Sequence, residues 1–471
     1  MDDHRDLTDL GVVDAGIALA RRDVSSAELT AACLARIDEV DGTHSHDGDP
    51  SSINAWVRVY GDDARSAAAR ADELLARGGD HSPLLGIPIG LKDLYGVAGK
   101  PITASSRLLA EEPAADCDVW RRLRAAGMVL IGHLHTHEFA AGGTTDQVAN
   151  PWDRSRSAGG SSGGSAAALA ARMVPAATGS DTAGSLRIPS ACCGTSTIKP
   201  TRGLVSLAGV VPLSWSLDHA GPMARTVADC RALLVAMAGP DRGRADSALH
   251  APLTGWDDTT PANDVRVAVS PRVVRSALDA DVAAGFDRAL DALGTLGATV
   301  VEPPPPAAGS DAIEEFLDVL STDMVAYHRR FDGNRDRYRP ALREWIELGE
   351  RRAVTGEAYA AVQARRRETT AAWADWLDEH RVDAVVEPTI PMVAPVRGEG
   401  YEHAGSDYEM ISLTHLWNWT GFPVVALPAG VGPSTQLPVG VSLIGPAASD
   451  RRLLALGEQL QQVLPPVAPP G

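Results

Sequence analysis

The stretch that decides the fold of this chain is AGGSSGGSAAALAARMVPAATGSDTAGSLRIPSACCGTSTIKPTRG, residues 158–203. It holds two turns, Gly159–Ser165 and Gly179–Ser185, in which serine stands beside glycine. Glycine lets the main chain approach a ligand closely. A serine in such a turn can be exposed while several backbone N–H groups point at one spot, which is the geometry of an oxyanion hole. The stretch is therefore compatible with an exposed serine beside donors for a developing oxyanion.

Three other interpretations of the first turn are weaker. A flexible Gly/Ser linker is disfavoured because the helix-forming run Ala166–Ala171 follows at once. A phosphate-binding loop needs a lysine where this chain has Ser165. A nucleophile elbow fits the bare GxSxG pattern at residues 159–163, but it needs a strand directly before it. Residues 150–158 are polar and typical of a loop, so the nucleophile elbow is disfavoured.

The same stretch resembles the signature of the amidase signature family, through GGSSGGSAAA at 159–168 and SDTAGSLRIPSACCGTSTIKPTRG at 180–203. GIPIGLKDLYGVAG at 86–99 resembles the lysine motif of that family, and SLDHAGPMART at 216–226 resembles a further block. The resemblance runs from about residue 7 to about residue 464. It implies a single amidase domain over residues 1–471, in the α/β class, with a mixed central β-sheet flanked by helices on both sides.

The resemblance also implies a Ser–Ser–Lys triad. Ser185 is then the nucleophile, Lys92 is the base in its neutral form, and Ser161, on a cis peptide bond, passes the proton between them. An ordinary lysine has a pKa of about 10.4, so few lysines are neutral at pH 7. We expect burial beside Ile89 and Leu91 to lower the pKa of Lys92 toward neutrality.

The residues around the triad have supporting roles in this resemblance. Ser162 is expected to support the Ser161 loop, and Asp181 and Arg187 to brace the second turn as an ion pair. The family usually has glycine at position 183, so the methyl group of Ala183 argues against a positive φ there. Neither a cofactor nor a metal is expected. The expected oxyanion donors are the backbone N–H groups of Thr182, Ala183, Gly184 and Ser185.

A histidine-rich segment keeps a second enzyme class open. His133, His135 and His137 follow a predicted strand at 128–131, and they share one face if the chain is extended. Such a pattern suits zinc, so a zinc-dependent amidohydrolase is an alternative, although no HExxH motif occurs. Family members usually carry other polar residues there, which favours packing or pocket lining. His219 is a further candidate for a general base.

Composition limits the partners and the compartment. The formal net charge of −18 disfavours direct binding to a nucleic-acid backbone. Five cysteines without a CxxC pattern indicate reduced thiols in a cytoplasmic protein. The acidic N-terminus is unlike a signal peptide, and no apolar run approaches the roughly 18 residues that span a bilayer.

We therefore expect an amide C–N bond hydrolase that acts on a small-molecule amide, hydrazide, ester or carbamate through a Ser185 acyl-enzyme. The main alternative is the glutaminase subunit of a tRNA-dependent amidotransferase, and a homodimer is left open. In the resemblance, residues 311–380 vary among members, and the periodicity predicts helices at 311–331, 336–351 and 356–380. Their aromatic residues are more typical of core than of pocket: Tyr327, His328, Tyr338, Trp345, Tyr359, Trp373 and Trp376.

Overall fold

The computed structural model describes residues 6–49, 51–241, 261–306, 312–403, 405 and 408–467. Within these ranges helices and strands alternate along most of the chain. The strands are β1 (Trp56–Val59), β2 (Pro88–Lys92), β3 (Val129–Leu134), β4 (Ala149–Asn150), β5 (Asp153–Ser157), β6 (Ala176–Asp181), β7 (Ser196–Lys199), β8 (His219–Ala224), β9 (Arg266–Val269), β10 (Thr299–Val301), β11 (Ala384–Pro388), β12 (Val424–Val431) and β13 (Pro438–Ile444).

The helices supply most of the remaining regular structure. Helix α2 begins at a capping box in which Ser25 and Glu28 each bond the backbone of the other. The α-helices are α1 (Val12–Arg21), α2 (Ser26–Val40), α3 (Gly61–Arg77), α4 (Asp118–Ala125), α5 (Gly163–Ala170), α6 (Arg187–Cys193), α7 (Val227–Met237), α8 (Ala280–Thr295), α9 (Ile313–His328), α10 (Pro340–Arg352), α11 (Gly356–Glu379), α12 (Tyr408–Ile411), α13 (His415–Thr420) and α14 (Asp450–Val463).

One large mixed sheet organises the described part of the chain. Its eleven strands run in the order β1-β3-β2-β6-β8-β7-β12-β13-β11-β9-β10. The β3-β2-β6 and β11-β9-β10 groups pair in parallel, whereas the strands between β6 and β11 pair antiparallel. The predicted mixed α/β sheet flanked by helices on both sides is confirmed.

The centre of the sheet places the two key segments side by side. Strands β2 and β6 are parallel neighbours, with Ile89 opposite Ala176 and Gly90 opposite Ala177. Their carboxyl ends therefore meet at the same edge, where Lys92 ends β2 and Asp181 ends β6. Helix α5 begins within the first serine turn, at Gly163, and is buried along its whole length, so its alanines allow close packing against the sheet.

The prediction of a loop at residues 150–158 was wrong. Asp153–Ser157 forms β5, which pairs with β4 in a separate two-stranded sheet. The strand is mostly exposed and polar, so it carries no hydrophobic alternation that a sequence pattern could reveal. A strand does precede the first turn, but it belongs to this ribbon and not to the central sheet from which an elbow would rise.

The helices of the variable region are found where the sequence predicts them, as α9, α10 and α11, although residue 311 lies outside the described residues. Most of their aromatic side chains pack in the interior. Tyr327, His328 and Tyr338 surround Phe139. Trp373 packs edge-on against Trp376 and Trp417. The five cysteines are buried and free. In the described ranges, no helix combines the length and apolar character needed to cross a membrane.

Candidate active site

A fully buried lysine lies at the centre of the candidate site. Lys92 Nζ is 2.8 Å from Ser161 Oγ, 2.8 Å from Ser162 Oγ and 2.9 Å from Ser180 Oγ. Burial lowers the pKa of Lys92 to about 7, although the carboxylates of Asp181 and Asp218 act to raise it. The lysine therefore meets three hydroxyl groups and no direct anionic partner. It can hold or release a proton near neutral pH.

The first serine turn reaches this lysine from one side. The peptide bond between Gly160 and Ser161 is cis, and the carbonyl oxygen of Ser161 accepts hydrogen bonds from His137 N and Thr145 Oγ1. Ser161 and Ser162 are completely buried. The structure thus places the hydroxyl groups of Ser161 and Ser162 together on Lys92 Nζ.

The second serine turn is fixed by a buried ion pair. Arg187 Nε donates to Asp181 Oδ2 at 2.9 Å, and neither side chain is exposed to solvent. Although burial acts to raise the pKa of Asp181, the Arg187 guanidinium outweighs it and the pKa lies below its usual value. Leu186 N also donates to Asp181 Oδ2, which ties the end of the turn to its start.

The second turn presents Ser185 together with backbone donors. No acceptor among the described residues pairs with the N–H groups of Ala183, Gly184 and Ser185. Gly184 has a φ of +144°, and an added Cβ would meet Thr414 Oγ1 at 2.5 Å, so glycine is required there. Ala183 is not one of the non-glycine residues that have a positive φ in the described ranges. The alanine that departs from the family pattern therefore introduces no backbone strain.

The two turns meet through the backbone. Ser162 N donates to the carbonyl oxygen of Ser185 at 3.3 Å. In the described residues no direct hydrogen bond joins the hydroxyl groups of Ser161 and Ser185. Ser185 is only 5 % exposed, and it faces a cavity that Ser161 does not line. The geometry therefore places Ser161 on the lysine side and Ser185 on the cavity side of the same junction.

Asp218 supports the second serine turn through a hydrogen bond with Thr182. Its Oδ1 accepts a hydrogen bond from Thr182 Oγ1 at 2.6 Å, and its carboxylate also accepts from the backbone N–H groups of Leu213 and Ser214. Burial raises the pKa of Asp218 to about 6. The aspartate connects the turn to the loop before β8. The block at residues 216–226 therefore contacts the site.

Among the described residues, the histidine side chains share no hydrogen bond with Lys92 or Ser185. His219 Nδ1 donates to the carbonyl oxygen of Leu217 at 2.7 Å, and burial holds its pKa well below the usual range. His133 lies between Tyr60 and Tyr95, with Nδ1 2.8 Å from Tyr60 Oη and Nε2 3.0 Å from the carbonyl oxygen of Tyr95. His219 thus shares no hydrogen bond with Ser185.

The other two histidines of the cluster have separate partners as well. His135 Nδ1 is 3.0 Å from Ser105 Oγ, and His137 Nδ1 is 2.9 Å from the carbonyl oxygen of Thr144. Burial lowers the pKa of each to about 3, so both are neutral at pH 7. Within the described ranges no three His, Cys, Asp or Glu side chains converge in a way that could hold a metal ion.

Sequence reasoning missed several residues of the site. Ser180 is a third hydroxyl on Lys92, and its only sequence signal is its place in the second turn. Asn418 donates to Asp181 Oδ1 at 2.8 Å and accepts from Arg187 Nη2 at 2.6 Å. Asn418 comes from α13, more than 200 residues away along the chain, so no local pattern could have indicated its contact.

A cavity of about 540 Å³, which includes space open to solvent, adjoins Ser185. Small residues of the loop after β3 and the second serine turn form one side, and helices α9, α10 and α12 form the other. Of the aromatic residues in the variable region, Trp345 lines this cavity. The larger lining residues are Ile188, Leu213, Leu320, Met324, Trp345, Tyr408 and Ile411.

Comparisons with known proteins identify the family and related folds. The Amidase family model matches residues 28–454. A Glutamyl-tRNA(Gln) amidotransferase subunit from Chloroflexus aggregans is 36% identical over 96% of each chain. The corresponding subunit from Anaeromyxobacter dehalogenans is 34% identical over 99% of each chain. Among solved structures, the peptide amidase from Stenotrophomonas maltophilia is 28% identical, with a TM-score of 0.81 and 98% of each chain covered.

Proposed function

Because this chain belongs to the Amidase family, we propose that it cleaves amide C–N bonds through an acyl-enzyme on Ser185. The observation that carries the proposal is the contact of Lys92 with Ser161, at the junction where Ser162 N bonds the carbonyl of Ser185. A buried lysine with a pKa of about 7 can act as a base at neutral pH. We also infer that residues 1–471 act as a single amidase domain.

The proposed reaction begins with proton transfer. Neutral Lys92 accepts a proton from Ser161, which accepts one from Ser185 as the Ser185 oxygen attacks the amide carbonyl. The same groups return a proton to the leaving nitrogen when the C–N bond breaks. Water then attacks the ester, which releases the acid and regenerates Ser185. The hydroxyl groups of Ser161 and Ser185 have to approach one another for this transfer, so we infer a small side-chain movement on substrate binding.

The second turn supplies the other requirement of acyl transfer. The free N–H groups of Ala183, Gly184 and Ser185 can donate to the oxyanion of the tetrahedral intermediate. Such donors work best when they need no reorganisation, and the buried Asp181–Arg187 pair holds the turn in place. The side-chain hydroxyl of Thr182 donates to Asp218 and helps to fix the turn, and its backbone N–H stays among the proposed oxyanion donors.

A second candidate function is that of one component of an amidotransferase. The curated relatives are named as subunits of Glutamyl-tRNA(Gln) amidotransferase, at 34–36% identity over nearly the whole chain. This similarity favours the alternative function over a free-standing small-molecule amidase. An amidotransferase component would release ammonia from glutamine and would co-purify with a partner protein. The discriminating measurement is ammonia release from glutamine by the chain alone and with its co-purified proteins.

Active-site labelling tests the proposed chemistry for either function. The protein is treated with a small fluorophosphonate, and intact mass and peptide mapping locate the adduct. We expect one adduct on Ser185, none in Ser185→Ala, and labelling slowed by about 10²–10⁴-fold in Lys92→Ala, because a general base contributes that much. Ser165→Ala is the matched control, since Ser165 Oγ is buried but bonds only the carbonyl of Thr178. An unchanged adduct in Ser185→Ala would exclude Ser185 as the nucleophile.

A further inference from the structure

The residues that line the cavity beside Ser185 indicate which kind of substrate group can bind there. Five of its larger residues are aliphatic, and each of these is at most 8% exposed: Ile188, Leu213, Leu320, Met324 and Ile411. Two aromatic residues and the small residues of two loops, which include Thr182 and Ser185, complete the wall. None of the described residues that line the cavity is charged. A substrate group that fills this space gains by leaving water only if it is apolar as well.

The aromatic residues mark the open side of the cavity. Trp345 is partly buried and Tyr408 is 38% exposed, whereas the aliphatic residues are buried. The two rings pack edge to face, with centroids 5.5 Å apart. A group that enters past these rings passes from an amphipathic rim to a mainly apolar interior next to Ser185.

Arg352 is a charged group near the rim that is already paired. Arg352 is close enough to Tyr408 to act on its pKa, which burial raises and Arg352 acts to lower. Its Nε donates to Asp318 Oδ1 at 2.9 Å, and its Nη2 donates to Glu314 Oε2 at 2.8 Å. This guanidinium therefore has carboxylate partners of its own, and recruiting it for a substrate carboxylate would break two ion pairs.

From this cavity we infer that the substrates are amides whose acyl group is apolar and uncharged, and that a free amino acid such as glutamine is a poor substrate. The inference rests on the proposed function of Ser185, because the cavity selects an acyl group only if Ser185 is acylated. The reaction joins R–CO–NH₂ and water to give R–COOH and ammonia, with R in the cavity. Ammonia needs no binding space, so for a primary amide R alone can fill it.

The two candidate functions differ in the charge of the group that the cavity would have to hold. Glutamine presents a carboxylate and an ammonium group four bonds or fewer from its side-chain amide carbonyl. Both charges would lie within the apolar cavity or at its aromatic rim. Transfer of an unpaired charge to such a site is strongly unfavourable. The cavity therefore favours hydrolysis of apolar amides, even though the curated relatives carry the amidotransferase name.

Matched primary amides test the inference. Pentanamide and glutaramate, the monoamide of glutaric acid, have chains of similar length and differ in a terminal carboxylate. We expect kcat/KM for pentanamide to exceed that for glutaramate, and that for L-glutamine, by at least about 100-fold. A value for glutaramate or glutamine equal to or above that for pentanamide would overturn the inference.

A charge placed in the wall sharpens the test. Trp345→Arg adds a cation at the partly exposed rim, and Trp345→Leu is the control that removes the ring without adding charge. We expect the ratio of kcat/KM for pentanamide to kcat/KM for glutaramate to be at least about tenfold smaller in Trp345→Arg than in Trp345→Leu. An equal ratio in the two variants would show that the acyl group does not occupy this cavity, and would overturn the inference.

The labelling experiment keeps the two proposals distinguishable. If fluorophosphonate fails to label Ser185, the proposed function fails, and the inference fails with it. If Ser185 is labelled and glutaramate is preferred, the proposed function stands and the inference alone is wrong. The same amides are also tested as competitors of labelling, so binding ranks them even if turnover is slow. Protection by pentanamide and not by glutaramate supports the inference, and the reverse contradicts it.

Discussion

Two buried polar clusters begin on neighbouring strands, and they differ in the hydrogen-bond partners of their side chains. Lys92 ends β2, and His133 lies on the adjacent β3, in register with Leu91. Around Lys92, three serine hydroxyl groups converge on one nitrogen. The histidines instead bond to separate tyrosine, serine and backbone groups. Convergence on one titratable atom characterises the first cluster. The second has dispersed hydrogen bonds, and the Nε2 atoms of His135 and His137 are buried without a partner among the described residues.

Burial has opposite consequences for the two clusters. It lowers the pKa of Lys92 to about 7, where the side chain can exchange a proton at physiological pH. It lowers the pKa values of His135 and His137 to about 3, where both stay neutral. The same desolvation thus lets the lysine exchange a proton at neutral pH and keeps the histidines neutral. The reason is that the ordinary pKa of lysine lies above 7 and that of histidine lies below it.

The largest effect that would test this comparison is expected in the pH dependence of kcat/KM. Only neutral Lys92 can act as the base, so kcat/KM for pentanamide should rise with pH through an apparent pKa near 7. We expect about a tenfold increase between pH 6 and pH 8. The measurement is kcat/KM across that range, with Lys92→Ala as the control that should lack this limb. Asp218, with a pKa of about 6, would add to the loss below pH 6. A flat profile would contradict the role of Lys92.

A smaller effect should follow from removing one of the converging hydroxyl groups. Ser180→Ala deletes a hydrogen-bond partner of Lys92, so we expect kcat to fall about fivefold, which corresponds to one hydrogen bond of about 1 kcal/mol. KM should stay constant because Ser180 does not line the cavity. The acidic limb should move to lower pH, since the acceptor stabilises the charged lysine more than the neutral one.

Ser165→Ala separates this effect from a general loss of packing. Ser165 is also buried, and its hydroxyl donates to the carbonyl oxygen of Thr178 without touching Lys92. We expect this variant to keep the limb at its original pH. A limb that moves equally in both variants would assign the shift to altered packing and not to the contact of Ser180 with Lys92.

The smallest effect on activity should come from the histidine cluster. His133→Phe removes hydrogen bonds to Tyr60 and to the carbonyl of Tyr95, so we expect a loss of about 1–3 kcal/mol in the free energy of unfolding. We expect kcat/KM to change by less than about twofold, because no histidine contacts Lys92 or Ser185 in the described part of the chain. Chemical denaturation and steady-state kinetics check the two values.

Chelation completes that test. Activity after treatment with a strong chelator should equal activity before it. Loss of activity with the chelator and recovery on addition of zinc would revive the zinc-hydrolase alternative and would make His133–His137 the first place to look.

Much of the site could be predicted from local sequence. The lysine motif at residues 86–99 and the two serine turns are short, and their residues form contacts through adjacent strand ends. The Asp181–Arg187 pair was also predictable, because both residues flank one turn. By contrast, the ribbon β4–β5 was not, since its polar strands lack hydrophobic alternation. The contacts of Asn418 bring together segments more than 200 residues apart, and pairing at that range depends on packing.

The sequence by itself determined which groups are present and which local elements hold them. Hydrophobic periodicity and caps set the helices and strands, and glycine positions set the turns, because each depends on neighbours within a few residues. Only the tertiary structure decided the pKa of Lys92, the pairing of the histidines and the apolar character of the cavity. Each of these is a sum over groups from distant segments. Desolvation and cavity chemistry therefore appear only when β2, β6, α9 and α10 have packed together.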